Sequence, residues 1–332
     1  MLNCRQTSFR FGAQAGLAFR LSTLLLCSLL TVQGCSVKQL VLKKAADTLA
    51  DSGTTYASDN DPELIRSAAP FSLKLMDGIL VEVPQHRGLL TAAASGYTGY
   101  TYAFVQQDAE VLEDTDVAAA AAGRARAKLL YTRAYHYAVA GLDVAHPGLS
   151  TRMQQDPQAA LSITGREDVP LLYWNAASLG ALIGLSKDNP ELVARVPVVE
   201  ALIDRALVLN EGYDAGAIHT FLISYEMVRQ SRRGDPTAIA RAHFQRAVQL
   251  SDGYQAAPYV ALAEAVCVGQ QNRVEFELLL NQALAIDVDK RPQWRLANVV
   301  MQRRAHWLLT RTDQLFAESR RPLEPLQHAW LF

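Results

Sequence analysis

Three stretches of the C-terminal half constrain the fold most. "RALVLNEGYDAGA", "RAVQLSDGYQAAP" and "QALAIDVDKRPQW" align on Ala206, Ala247 and Ala283, at spacings of 41 and 36 residues. Self-similarity at such a period signals stacked helix pairs: one pair cannot bury its own apolar face, so its neighbours must cover it, and the stack presents a concave surface. In the middle copy Ala240, Phe244 and Ala247 follow a small-large-small order. The alanines let paired helices approach, and the phenyl ring fills the gap to the next pair.

The period lies close to the roughly 34 residues of a tetratricopeptide repeat, but the helix-A tryptophan and the consensus proline are missing, so the repeats are degenerate. Strand-type alternation is scarce elsewhere, and 50% of the chain is apolar, enough for one large core or an elongated array. The fold class expected is all-α: an α-solenoid of degenerate tetratricopeptide-like repeats closed by a C-terminal capping helix. Apolar periodicity and prolines place helices at about 62–82, 86–107, 110–121 and 123–145. An irregular stretch with one short helix over 147–169 divides the chain into two halves, and a last helix runs near 292–318.

The N-terminus reads differently. Arg5, Arg10 and Arg20 precede an apolar run from Leu21 to Val32, too short for the ~20 residues of a membrane span and shaped like a secretory leader. Val32-Gln33-Gly34-Cys35 resembles a bacterial lipobox, which makes residues 1–34 a removed signal peptide and Cys35 the lipid-modified N-terminus. Ser36 rather than Asp follows it, which points to the periplasmic face of the outer membrane of a Gram-negative cell. Residues 35–61 then form a lipidated start, an amphipathic helix over 36–50 with Val37, Leu40, Val41 and Ala45 on one face, and a linker. Residues 62–332 form the helical-repeat domain.

Charge and cysteines narrow the function. Taking Arg5, Arg10 and Arg20 away with the leader leaves 29 basic against 33 acidic side chains, a net of −4, which is no footprint for nucleic acid. Of the four cysteines only Cys267 stays both in the mature chain and unlipidated, so neither an intrachain disulfide nor a Cys-x-x-Cys metal site is expected. Neither His-Glu-x-x-His nor Gly-x-Ser-x-Gly occurs, and no cofactor, metal or catalytic residue is assigned. A binding protein is expected rather than an enzyme. Gly96 and Gly99 lack the lysine of a phosphate loop and read as sites of close helix contact.

Candidate ligand contacts come from polar and aromatic groups inside apolar helices, because a few polar groups fix orientation in a mostly apolar pocket. Tyr173 and Trp174 open a helix in "LLYWN", His219 and Glu226 share a helix face in "IHTFLISYE", and Tyr100 lies in the tyrosine-rich stretch after His86. Arg303, Arg304, Trp307 and Arg311 form a cationic stripe on the last helix, read as its solvated outer face.

The segments "HRGLLTAAASGYTGYTYAFVQQDAE", "DVPLLYWNAASLGALIGLSKD", "HFQRAVQLSDGYQAAPYVALAE" and "NRVEFELLLNQALAIDVD", in this order, resemble the T component of TRAP-transporter-associated systems. The likeness covers roughly residues 36–316. It implies a periplasmic helical-repeat lipoprotein that forms a homotrimer and binds the extracytoplasmic solute-binding protein (P component) of a TRAP transporter. It also implies a cavity for a small hydrophobic or organic-acid ligand, beside which Tyr100, Tyr173, Trp174, His219 and Glu226 are expected. Two readings stand beside it: a scaffold for envelope assembly and a periplasmic enzyme.

Overall fold

A computed structural model describes residues 38–51, 53–229 and 234–316, and among them every regular element is a helix. The first half holds α1 (38–51), α2 (Gly53–Ala57), α3 (Pro62–Glu82), α4 (Arg87–Thr101), α5 (Gln107–Val111), α6 (Val117–Ala145), α7 (Leu149–Gln155) and α8 (Pro157–Leu161). The second holds α9 (Val169–Gly184), α10 (Pro190–Val193), α11 (Val196–Asn210), α12 (Ala217–Tyr225), α13 (Pro236–Leu250), α14 (Ala257–Leu262), α15 (Arg273–Leu284), α16 (Arg295–Thr310) and α17 (Thr312–Leu315). The fold is all-α, as the apolar periodicity requires. The leader, Cys35 and the chain after Phe316 lie outside the described residues.

An Asp-Pro or Asn-Pro pair starts α3, α8, α10 and α13. Proline at the first helical position gives up an N–H that would have no partner anyway, and the residue before it caps the next ones. Asp61 accepts from the amides of Glu63 and Leu64 at 3.0 Å, and Asp156 from Ala159 at 3.0 Å. The break expected near residue 122 lies instead at 112–116, where Asp116 caps α6 through the Ala119 amide at 2.9 Å. Gly123 does not interrupt α6. It lets α5 come close, since a Cβ there would stand 2.7 Å from the Ala109 Cβ.

Two more expectations are corrected. On α1 the inward face is Leu42, Ala45, Ala46 and Leu49, whereas Leu40 and Val41 are exposed. The segment 147–169 does not divide the protein: Leu149, Met153, Ala160 and Leu161 belong to a single buried cluster that runs from Tyr135 to Leu222. Its apolar side chains bind α6 to α9 and α11.

Neighbouring helices pack in series, α3 on α4, α4 on α6, α6 on α9 and α9 on α11, and then α12 through α16. Ala206, Ala247 and Ala283 are fully buried on α11, α13 and α15, as is Ala240, and Phe244 meets Tyr259 edge-on at 5.4 Å. The series then turns back on itself, because α16 packs against α2 and α3. Arg295 donates to the Ser58 carbonyl at 2.7 Å, Arg303 pairs with Glu63 at 2.7 Å, Arg304 with Glu110 at 2.5 Å and Arg311 with Asp114 at 3.1 Å. The cationic stripe is therefore no solvated outer face but the seam that joins the two ends of the described chain. Two π-helical turns, Tyr102–Gln106 and Ala263–Cys267, reach α16 at this seam: Tyr102 meets Met301 and Glu264 meets Arg304.

Candidate functional site

Closing the series forms a half-open cavity of about 770 Å³ between α1, α2, α3, α4, the start of α9 and α16. The space exists because most of the residues that α4 turns toward it are small, Thr91 and Tyr100 apart. Gly88, Ala92, Ser95, Gly96 and Gly99 all line it, at spacings that keep them on one side of the helix. A Cβ on Gly99 would meet nothing within 4 Å, whereas one on Gly96 would stand 2.9 Å from Leu73. Gly96 thus serves close helix contact, as expected from the sequence. Gly99 instead opens the cavity.

The opposite walls are apolar: Leu73 and Met76 from α3, Phe104 from the first π turn, and Leu296, Val300 and Met301 from α16. Polar groups are few. Tyr56 and Ser72 share a hydrogen bond between their hydroxyls, and Tyr102 points its hydroxyl at the Met301 sulfur at 3.8 Å. Burial pushes the phenols of Tyr102 and Tyr213 above the usual range, Tyr213 to about 12, so both stay neutral hydrogen-bond donors at any ordinary pH. Tyr213 precedes two non-glycine residues of positive φ, Asp214 at 43° and Ala215 at 49°, a costly conformation that persists only where the surroundings enforce it.

The residues singled out in the sequence fall in three places. Tyr100 and Trp174 line the cavity, and the Tyr100 ring leans on Phe104 with centroids 5.6 Å apart. Tyr173 stands behind that wall, its ring against Trp174 at 4.9 Å and Tyr213 at 5.4 Å. His219 and Glu226 are not among the lining residues. His219 is buried on α12, its Nδ1 2.8 Å from the His243 Nδ1 and its Nε2 3.4 Å from Glu211. Burial holds both imidazoles below the usual histidine range, His243 at about 4. Glu226 is buried against Arg229, which also binds Asp204. Facing α13 and the Arg229 cluster, these two side chains hold helices together.

The sequence reading took Gly99 for a close helix contact and did not single out the α16 wall. The small-residue face of "GLLTAAASGYTGY" carried a signal for the first, but nothing local marks α16 as its partner. Among the described residues no three His, Cys, Asp or Glu side chains are grouped to hold a metal ion, and no helix is long and apolar enough to cross a membrane.

The comparisons with known proteins agree with the likeness. A protein of Treponema pallidum (strain Nichols), described as uncharacterized, is 27% identical over 318 residues, covering 90% of this chain and 97% of that one. The family model for the TRAP transporter T-component matches residues 58–316, from the loop before α3 to the last described residue, and so takes in the ion pairs of the seam and the cavity lining from Ile65 to Met301, but not the lining residues that α1 and α2 supply. The chain belongs to the TRAP transporter T-component family, and with that membership goes an accessory role in a TRAP transport system.

Proposed function

We propose that the protein is the T component of a TRAP solute uptake system that holds a small apolar or organic-acid ligand in its central cavity and docks the solute-binding protein of the same system. The observation that carries this reading is the family match over residues 58–316. A cavity of about 770 Å³ with mostly apolar walls supports the ligand half, since small-molecule sites are concave, largely apolar and of about 300–1,000 Å³. Tyr100 and Trp174 contact the ligand from the cavity wall, and Tyr173 braces Trp174. His219 and Glu226 act at a distance, by keeping α12 against its neighbours.

In this reading three copies assemble by rotational symmetry, each setting one patch against a different patch of its neighbour. Cys35 carries lipid and keeps the assembly at the periplasmic face of the outer membrane. The protein works by binding and does no chemistry of its own. Sedimentation of residues 36–332 with the purified cognate solute-binding protein tests it. A trimer that carries the partner is expected. A monomer with no complex well above the micromolar range of transient interfaces would refute both the assembly and the partner.

A further inference from the structure

The charges around the large cavity are all of one sign. Its two charged lining side chains are carboxylates, Asp51 and Glu167, and both are exposed, so they stand where the space opens to solvent. Among the described residues no lysine, arginine or histidine lines it. Arg87 reaches the Glu167 carbonyl at 3.0 Å but is bound to the fully buried Asp168, and Arg295 is bound to Asp289 at 2.9 Å and to the Ser58 carbonyl.

Most polar groups of the wall are engaged within the protein. Thr91 and Ser95 donate to the Arg87 and Ala92 carbonyls of their own helix, each at 3.0 Å. Tyr56 bonds Ser72, the Trp174 indole donates to the Tyr213 hydroxyl, and Tyr102 lies between Gln107 and Met301. The Tyr100 hydroxyl makes no such bond among the described residues, and one neutral donor does not replace a cation.

An ionised carboxylate drawn into such a space gives up its hydration and finds neither a cation nor a set of donors to replace it. At the opening it meets like charges instead. An uncharged chain incurs neither penalty, and the stripe from Gly88 to Gly99 runs along about 16 Å of α4, length enough for an extended chain. We propose that the cavity takes an uncharged, elongated apolar molecule and rejects the carboxylate form of the same chain. The proposal rests on the reading of the cavity as a ligand site and chooses between the two ligand classes, apolar and organic acid, which that reading leaves open.

The test is calorimetric titration of the purified protein, lacking only its leader, with decanol and separately with decanoate at pH 7.5, where the acid is ionised. Decanol should bind about tenfold or more tightly than decanoate. Ala297→Lys puts a cation at an exposed lining position and should tighten decanoate about two- to fivefold, the size of an exposed ion pair, with decanol unchanged. Gly99→Phe fills space that is open at this residue and should weaken decanol at least about tenfold. If decanoate matches decanol, or gains nothing from Ala297→Lys, while Gly99→Phe weakens both probes, the selection against charge is overturned and the cavity reading stands. Binding of neither probe, or binding that Gly99→Phe leaves unchanged, would remove both.

Discussion

Alanine placed at two helical glycines, Gly99 and Gly123, should change stability in opposite directions. Glycine in a helix costs about 0.5–1 kcal/mol relative to alanine, because it loses more backbone freedom on folding. At Gly99 the new methyl would meet nothing within 4 Å, so the gain is uncompensated. With a shift of roughly 2–4 °C per kcal/mol in a domain of this size, Gly99→Ala should raise the melting temperature by about 1–4 °C. At Gly123 the methyl would stand 2.7 Å from the Ala109 Cβ and 3.5 Å from its Cα. Neither atom can rotate away, so α5 and α6 must separate. Overpacking of this kind costs about 1–3 kcal/mol. After the propensity gain, a net loss of roughly 0.5–2 kcal/mol remains. Thermal and urea unfolding of the two variants, followed by circular dichroism, measures both. A destabilised Gly99→Ala would mean that the α4 face is packed and the cavity is not open there. A neutral Gly123→Ala would mean that α5 does not rest on α6 as described.

Two further outcomes follow from buried charge. Arg304→Met leaves Glu110 and Glu264 facing each other across the seam without their cation, and burial already pushes the Glu264 carboxyl up. The loss should lie near the lower end of the about 3–5 kcal/mol of a broken buried pair, since the two carboxylates are 23% and 28% exposed; an unchanged melting temperature would show that the seam does not hold the chain ends together. His219 and His243 lie against each other, with Glu211 and Arg246 beside the first and Arg229 toward the second, and burial keeps both below their ordinary value of 6.5. Between about 6.5 and about 4 the unfolded chain therefore takes up protons that the folded chain refuses, so the contribution of the pair to stability should fall as the pH drops through that window and be fully lost below it. His243→Gln should flatten the slope of urea midpoint against pH, and a slope equal to that of the parent would refute the assignment.

Much of the fold was legible along the chain because its causes are local. Apolar side chains every third or fourth residue make helices, Asp61-Pro62 and Asp235-Pro236 start two of them, and alanines at 206, 247 and 283 occur where helices must touch. The likeness of ordered segments was enough to name the family. Part of the site was legible too: Tyr100 and Trp174 were picked as aromatic side chains within small-residue or apolar helices, and both stand on the cavity wall. His219 and Glu226 look the same in sequence, polar groups within an apolar helix, yet one faces His243 and the other Arg229. Only the identity of the facing helix separates a ligand contact from a brace.

The closure was decided by tertiary structure alone. Arg303, Arg304 and Arg311 at one end of the chain find Glu63, Glu110 and Asp114 at the other, and no local pattern records a pairing between residues nearly two hundred or more positions apart. An open stack and a closed one share the same periodicity, caps and buried alanines. What distinguishes them is the free energy of one long-range seam. The cavity and its α16 wall exist only once that seam is formed. The sequence by itself determined the helices and the family; the return of α16 onto α2 and α3 determined that they line a common cavity.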